Sequence, residues 1–422
     1  LDQGFDYYFD NFDLTKYKKA SLDAVQRRGD EVLAEARKWI DLRSKEKFFT
    51  WIHLYDPHTP YDPPEPYKTQ YMGSPFGLYD GEIAYTDQLI GEFLDYLEEK
   101  KLLDTTLIIF TADHGESLGE HSENAHGFFI YDSDIRVPLI IRFPRKIFEG
   151  KRIQSQVRSV DIMPTLLHML GNKPSDSIQG TSFLPLILGE DDESDRPAYS
   201  ETYWPRFHYG WSDLKTLRKG QYKFIDAPKP ELYDISKDPG EINNIVDQKS
   251  TLGHEMKREL DTFIDMHSTE GIKEARPQQM DNDTIIKLRA LGYIGSFNSQ
   301  KKKGHEFADP KDKIGLYNEI KLAQFLTTEE KYSQAAKKIK DVLRKDNSVL
   351  EAHYILGNIL SKQEKYEEAI AQYSKALEID PEYYDAIFGI AITNKRTKKT
   401  DEAIMGFKKM EEMNQRDTKL FL

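Results

Sequence analysis

The residues best able to do chemistry lie between Thr106 and Gly127, in the stretch TLIIFTADHGESLGEHSENAHG. Asp113 and His114 end an apolar, strand-like run, and in an open α/β sheet ligands bind beyond the carboxyl ends of the strands. A carboxylate beside an imidazole suits a borderline or hard divalent ion, and Gly115 would let the backbone turn away sharply. The plain structural alternative is an Asp-His-Gly turn whose polar side chains cap a neighbouring helix. His121 and His126 come next in the same loop, among Glu116, Glu120 and Glu123, just ahead of the apolar RVPLII. So many imidazoles and carboxylates before a buried strand favour a site over a solvated face. A second cluster, WIHLYDPHTPYDPP at residues 51 to 64, places His58 in a proline-braced loop, while His53 inside the preceding apolar run is expected to be a core histidine.

The elements that must position these groups follow from periodicity. Val25, Val32, Leu33, Ala36, Trp39 and Ile40 recur at helical spacing between Asp23 and Lys47, and FFTWIHL, residues 48 to 54, has the doubly apolar character of a buried parallel strand. A second helix is expected from Tyr79 to Lys101, a strand over residues 106 to 113, another at 137 to 144, and a helix at 161 to 170. Asp87 and Asp161 are expected to cap or brace helices, and Arg136 and Arg142 to be solvated. After Trp204 the stretches KTLRKGQYKFID and PELYDISKDPGE suggest a small antiparallel sheet with a turn at Asp238-Pro239-Gly240, closed by a helix from Gly253 to Met266.

Residues 296 to 312 are polar and aperiodic, the pattern of a linker. Beyond them the chain repeats every 34 residues, aligning Leu322, Leu356 and Ile390, Ala323, Gly357 and Ala391, and Ala335, Ala369 and Ala403. The middle unit, EAHYILGNILSKQEKYEEAIAQYSKALEIDPEYY, resembles a tetratricopeptide repeat, and three units are about the minimum for a stable stack.

Composition sets outer limits. With 422 residues the chain can form two or three domains, and a formal charge of -13 argues against a broad nucleic-acid surface. There is no cysteine, so disulfides and a cysteine nucleophile are excluded within these residues, and no apolar run approaches the roughly 20 residues of a membrane span. The opening LDQGFDYYFD shows no targeting segment.

At the ADHG and PHTPY segments the sequence resembles the sulfatase branch of the alkaline-phosphatase superfamily, and YDGEIAYTDQLIGEFLDYL, VRSVDIMPTLLHMLG, GTSFLPLI and ELYDISKDPGEINNIV look like that family's landmarks in order. The resemblance implies an α/β fold, an alkaline-phosphatase-like parallel-sheet sandwich over residues 1 to 205, with an antiparallel C-terminal subdomain at 206 to 295, a linker at 296 to 312 and an all-α tetratricopeptide solenoid at 313 to 422. It implies metal ligation by Asp113 and His114, with calcium expected and manganese or zinc open, and contact of His58 and His126 with the anionic group of a small ester substrate. The family's nucleophile, commonly made from Cys or Ser in a C/S-x-P-x-R motif, is not found here, nor are further Asp ligands on a first strand. The expectation is a C-terminal portion of a longer enzyme, inactive alone, the other reading being a domain that has lost catalysis. Sulfate-ester hydrolysis is the leading function; phosphoester or phosphonate hydrolysis and a non-catalytic repeat scaffold binding a protein or peptide are the alternatives. Relatives of this kind are often exported, which implies a periplasmic or otherwise extracytoplasmic setting.

Overall fold

A computed structural model describes residues 4–10, 27–190, 196–267 and 307–420, with side chains described to residue 413. These fall into two packed units, 1–111 with 139–151, and 112–138 with 152–422.

In the first unit, α1 (Gly29–Arg43) and α3 (Gly77–Glu99) form where apolar side chains recur once per turn. Leu33 packs with Tyr85 and Leu89, and one helical turn or two further on Ile40 packs with Tyr96 and Leu97. A short helix, α2 (Tyr67–Tyr71), precedes α3. Residues 48–54 belong to no helix and make no ladder among the described residues. Ile52 and Leu54 face the core while Phe49, Trp51 and His53 are exposed. The expectation of a strand buried on both faces is therefore corrected to one buried face, and His53 is a surface residue rather than a core histidine.

The expected strands at 106 to 113 and 137 to 144 appear as β1 (Ile108–Thr111) and β2 (Leu139–Arg142), paired antiparallel with Ile108 opposite Arg142 and Thr111 opposite Leu139. This corrects the expectation of parallel pairing. A parallel pair requires a crossover that carries the chain back to the starting end, usually a helix of several turns. The segment between these strands, residues 112–138, holds a 3-10 turn at Glu120–Ser122 and a four-residue helix, α4 (Asp132–Ile135), and no long crossover helix. Arg142 is not solvated as expected: its Nη1 donates to the Leu103 carbonyl at 2.5 Å and its Nη2 lies 3.3 Å from Asp104.

The second unit contains α5 (Ile162–Met169), α6 (Leu184–Leu188) and a four-stranded antiparallel sheet in sequence order: β3 (Ala198–Thr202), β4 (Leu214–Lys219), β5 (Tyr222–Asp226) and β6 (Glu231–Asp234). A short helix, α7 (Trp204–Tyr209), joins β3 to β4. Leu217, Phe224 and Leu232 of the sheet pack on Met256 and Leu260 of α8 (Ser250–His267). Asp161 braces this unit as expected. It is fully buried, its carboxylate taking Arg158 Nη2 at 2.7 Å and the Thr181 N–H at 2.8 Å. Burial alone would raise it, but the Arg158 guanidinium and these N–H groups hold it below the ordinary carboxylate range.

The repeats form three helix pairs: α9 (Pro310–Thr328) with α10 (Tyr332–Lys345), α11 (Leu350–Lys362) with α12 (Tyr366–Ile379), and α13 (Tyr384–Arg396) with α14 (Thr400–Leu420). The aligned alanines 323, 335, 369, 391 and 403 are all buried. A Cβ on Gly357 would lie 2.5 Å from the Tyr373 ring, so glycine is what lets α11 and α12 close. Within the segment expected to be a linker, residues 296–306 lie outside the described residues, and 307–312 are packed. Phe307 is buried under the Arg206 guanidinium at 4.7 Å, and Asp309 accepts from the Lys229 N–H at 2.8 Å.

Candidate active site

In the second unit the chain leaves β1 and builds the segment from Ala112 to Ile135 on itself. Gly115 N–H donates to the Asp134 carbonyl at 2.7 Å, and a Cβ at Gly115 would meet the Ser133 carbonyl oxygen at 2.1 Å. Glycine is required here by close approach of two backbones rather than by a sharp turn. Ser117 and Ser133 share a hydroxyl contact at 2.7 Å, and Gly119 N–H donates to the Glu123 carbonyl at 2.8 Å. Gly127 has φ +86, so it takes the left-handed bend that turns the chain back inward after His126. The fully buried Glu123 carboxylate then takes the N–H groups of Phe128 at 2.9 Å and Phe129 at 3.1 Å. Burial pushes the carboxyls of Glu123 and its neighbour Asp134 upward, and the charge of Asp134 adds to the shift of Glu123.

This frame brings three of the four expected site residues together. The rings of His114 and His126 stack with centroids 3.9 Å apart. His126 Nδ1 lies 3.3 Å from both oxygens of Glu116, a carboxylate that can only accept, which fixes that ring and the proton on its Nδ1. His114 Nδ1 faces the Gly115 carbonyl at 2.7 Å, so its neutral form carries the proton there and presents Nε2, 3.8 Å from Asp113 Oδ1. The Asp113 and His114 side chains are 73% and 41% exposed. An outward carboxylate oxygen beside an outward imidazole nitrogen fits part of a divalent-ion shell. Among the described residues no cluster of three or more such groups is assembled, so the fit is to part of a shell.

His121 plays a different part. Burial lowers its basicity, its ring stacks on Tyr131 at 3.5 Å, and its Nε2 lies 3.2 Å from the Gly240 carbonyl, clasping the loop to the turn at Asp238-Pro239-Gly240. The stronger clasp escaped sequence reading. Lys223, from the middle of β5, is fully buried with its Nζ 2.9 Å from Asp132 and 2.7 Å from Glu241, and Arg218 Nη1 reaches the other Asp132 oxygen at 2.7 Å. A lysine alternating with Tyr222 and Phe224 reads as a solvent-facing strand position, and nothing local announces its partners, which lie 91 residues upstream and 18 downstream.

The fourth expected residue, His58, belongs to the first unit. Its ring stacks on Tyr55 at 4.2 Å, its Nε2 lies 3.1 Å from the Tyr55 hydroxyl, and its Nδ1 lies 2.5 Å from the Thr59 carbonyl. Arg27, Arg28, Tyr55, Asp56 and His58 line a small cavity of about 20 Å³. Two guanidinium groups and an imidazole face a cavity that is little larger than a water molecule and that also carries the Asp56 carboxylate. The arginine pair was not singled out from sequence, where it reads as the polar face of a helix; the helix begins only at Gly29, so both stand at its threshold.

Glu82, buried on α3, ties down both ends of the His58 loop by accepting from the His58 N–H at 3.0 Å and the Asp62 N–H at 2.7 Å. Burial outweighs these bonds and pushes its carboxyl up to about 7. The folded chain thus retains a proton that the unfolded chain releases near 4.5. Its contribution to stability is complete below that pH and is lost as pH rises through about 7, a change of about 3 kcal/mol. Glu82→Gln should flatten this part of the stability-versus-pH profile, measured by urea unfolding. A variant whose profile matches the parent's would remove Glu82 from this role.

Comparison with known proteins gives a coherent picture. The family model "Sulfatase" matches residues 2–172, "N-sulphoglucosamine sulphohydrolase, C-terminal" matches 119–266, and "Tetratricopeptide repeat" matches 350–383. Arylsulfatase K of Xenopus laevis is 30% identical over 210 residues, covering 47% of this chain and 39% of the relative. N-acetylglucosamine-6-O-sulfatase of Bacteroides thetaiotaomicron is 33% identical over 183 residues, covering 40% and 31%. The chain thus spans well under half the length of these relatives. A solved sulfatase-type structure from Bacteroides fragilis shares the fold with a TM-score of 0.50 at 24% identity, covering 57% of this chain and 59% of that one.

Proposed function

We propose, on the premise that this chain belongs to the sulfatase family over residues 2–266, that it serves the hydrolysis of sulfate esters with a divalent cation at Asp113 and His114. One observation carries the reading: at the end of β1 a carboxylate and an imidazole present adjacent donor atoms, with a second imidazole stacked on the first and oriented by Glu116. The family works with a divalent cation, and we take calcium as the first expectation here, since a carboxylate is a hard ligand, with manganese or zinc admitted by the imidazole. When bound, such an ion supplies positive charge to an oxygen that gains negative charge as the ester is cleaved.

The chain's own residues then divide the work. Asp113 and the Nε2 edge of His114 hold the cation. His126, with its ring fixed by Glu116, grips the anionic group or delivers a proton to the departing alkoxide. His58 takes an anion-binding role by the likeness of PHTPY alone. The substrate is a small anionic ester. The proposed setting is extracytoplasmic; among the described residues no helix is long and apolar enough to cross a membrane.

The test is His126→Ala in the full-length protein, assayed on 4-nitrophenyl sulfate alongside metal content by elemental analysis. Turnover should fall about 100- to 10,000-fold, the range for losing a positioned acid or base, with bound metal unchanged. Loss of the metal together with the rate would overturn the division of roles between His114 and His126.

A further inference from the structure

Two carboxyls of the His126 loop are enclosed together without a cation. Glu123 is fully buried and Asp134 is 3% exposed, and the two side chains lie within hydrogen-bonding reach of each other. Among the described residues neither pairs with a lysine or arginine, Lys223 and Arg218 being engaged by Asp132 and Glu241. Glu123 receives the N–H groups of Phe128 and Phe129. Neither oxygen of Asp134 meets a donor in good geometry, although the Ser117 hydroxyl lies close, itself 2.7 Å from the Ser133 hydroxyl. The other ionisable groups facing the pair are Glu116 and His126, which engage one another at 3.3 Å, and the Tyr317 phenol of α9. Two carboxylates in such a setting cannot both stay charged, because each is stripped of water and repels the other. One proton relieves the repulsion and also serves the orphaned oxygens, since a carboxylic O–H is a donor that a carboxylate lacks.

We propose that Glu123 and Asp134 hold one proton between them and that this shared proton is the latch that positions His126. Glu123 fastens the chain just after His126, through Phe128 and Phe129, and the residue bearing the other carboxyl fastens the start of the loop, its carbonyl accepting from the Gly115 N–H at 2.7 Å. Joined by a proton, the two close the loop on itself and act on His126 through the backbone on either side. Burial and mutual repulsion raise both carboxyls, that of Glu123 to about 8. An opened loop would hydrate both groups and release the proton near the ordinary glutamate value of 4.5. The proton therefore favours the closed loop fully below that pH, and the advantage is lost as pH rises through about 8. The inference rests on the role given to His126 above only for its bearing on turnover.

The experiment follows amide hydrogen exchange of residues 126–131 in the full chain by mass spectrometry, after correction for the intrinsic pH dependence of exchange. In the parent the opening constant of this segment should rise about tenfold per pH unit through neutrality and level off above about 8. Glu123→Gln and Asp134→Asn each leave one carboxyl beside a neutral amide whose N–H takes the place of the shared proton, so this slope should vanish in both. Infrared spectra at neutral pH should show, in the parent, the C=O stretch of a protonated carboxyl that both variants lack, a signature that a purely structural role would not move. Should Glu123→Gln fail to fold, the near-isosteric Asp134→Asn decides the matter. A variant with the parent's slope, or an unchanged carbonyl band, would overturn the shared proton. None of these measurements uses turnover, so failure of the latch and failure of the sulfatase reading are told apart.

Discussion

Removing residues 307–422 should leave a protein that precipitates or unfolds at ambient temperature, rather than a stable protein that has merely lost its repeats. The reason is where α9 lies. Tyr317 stacks on Phe128 at 4.3 Å and meets Tyr209 edge-on at 5.7 Å, and Asn318 donates to the Ser122 carbonyl at 2.8 Å. Phe128 lies two residues past His126, and Phe128, Tyr209 and Trp211 are all buried within the same apolar cluster as Ile320 and Ala323 of α9. Uncovering half of three such aromatic side chains, on the order of 300 Å², costs about 7 kcal/mol at 25 cal/mol per Å². That is comparable to the whole stability of an ordinary domain. The milder substitution Tyr317→Ala should cost about 3 to 5 kcal/mol, read by urea unfolding. A truncated chain with the parent's solubility and unfolding midpoint would show that α9 is dispensable to the loop that carries His126.

Lys223→Met is expected to be comparably severe for a different reason. The methionine fills much of the same space, so little is lost in packing. Asp132 keeps Arg218, but Glu241 is left with a buried carboxylate and no cation, and Asp132 loses one of two. Breaking a buried ion pair by removing one partner costs about 3 to 5 kcal/mol. Burial already pushes the Glu241 carboxyl upward despite Lys223, so the variant should recover part of its stability as pH falls and that carboxyl takes a proton. Adding Glu241→Gln to Lys223→Met should restore part of the loss at neutral pH. Unfolding free energies that sum independently for the two substitutions would show that the residues do not act as a pair.

Much of this was legible in the sequence because it depends on local pattern. The helices near 29–43, 77–99, 162–169 and 250–267 fall where period and apolar spacing put them, and the repeat helices follow from a 34-residue register in which alanine and glycine recur at the contact positions. Asp113, His114 and His126 were identifiable because their types and spacing are unusual in so short a stretch. The direction of strand pairing was not, since an apolar run records that a strand is buried or half-buried and not which way its neighbour runs; β1 and β2 pair antiparallel.

Sequence by itself determined the helical repeats, the family likeness and the candidate ligands, all properties of residue type and spacing along the chain. Tertiary structure alone decided that Glu116 orients His126, that Glu82 ties down the His58 loop, that Lys223 is buried between two carboxylates, and that α9 covers Phe128. Each of these joins groups distant in the chain, or sets the environment of a charged side chain. A carboxylate or lysine carries no local mark of whether folding will leave it in water or enclose it with a partner.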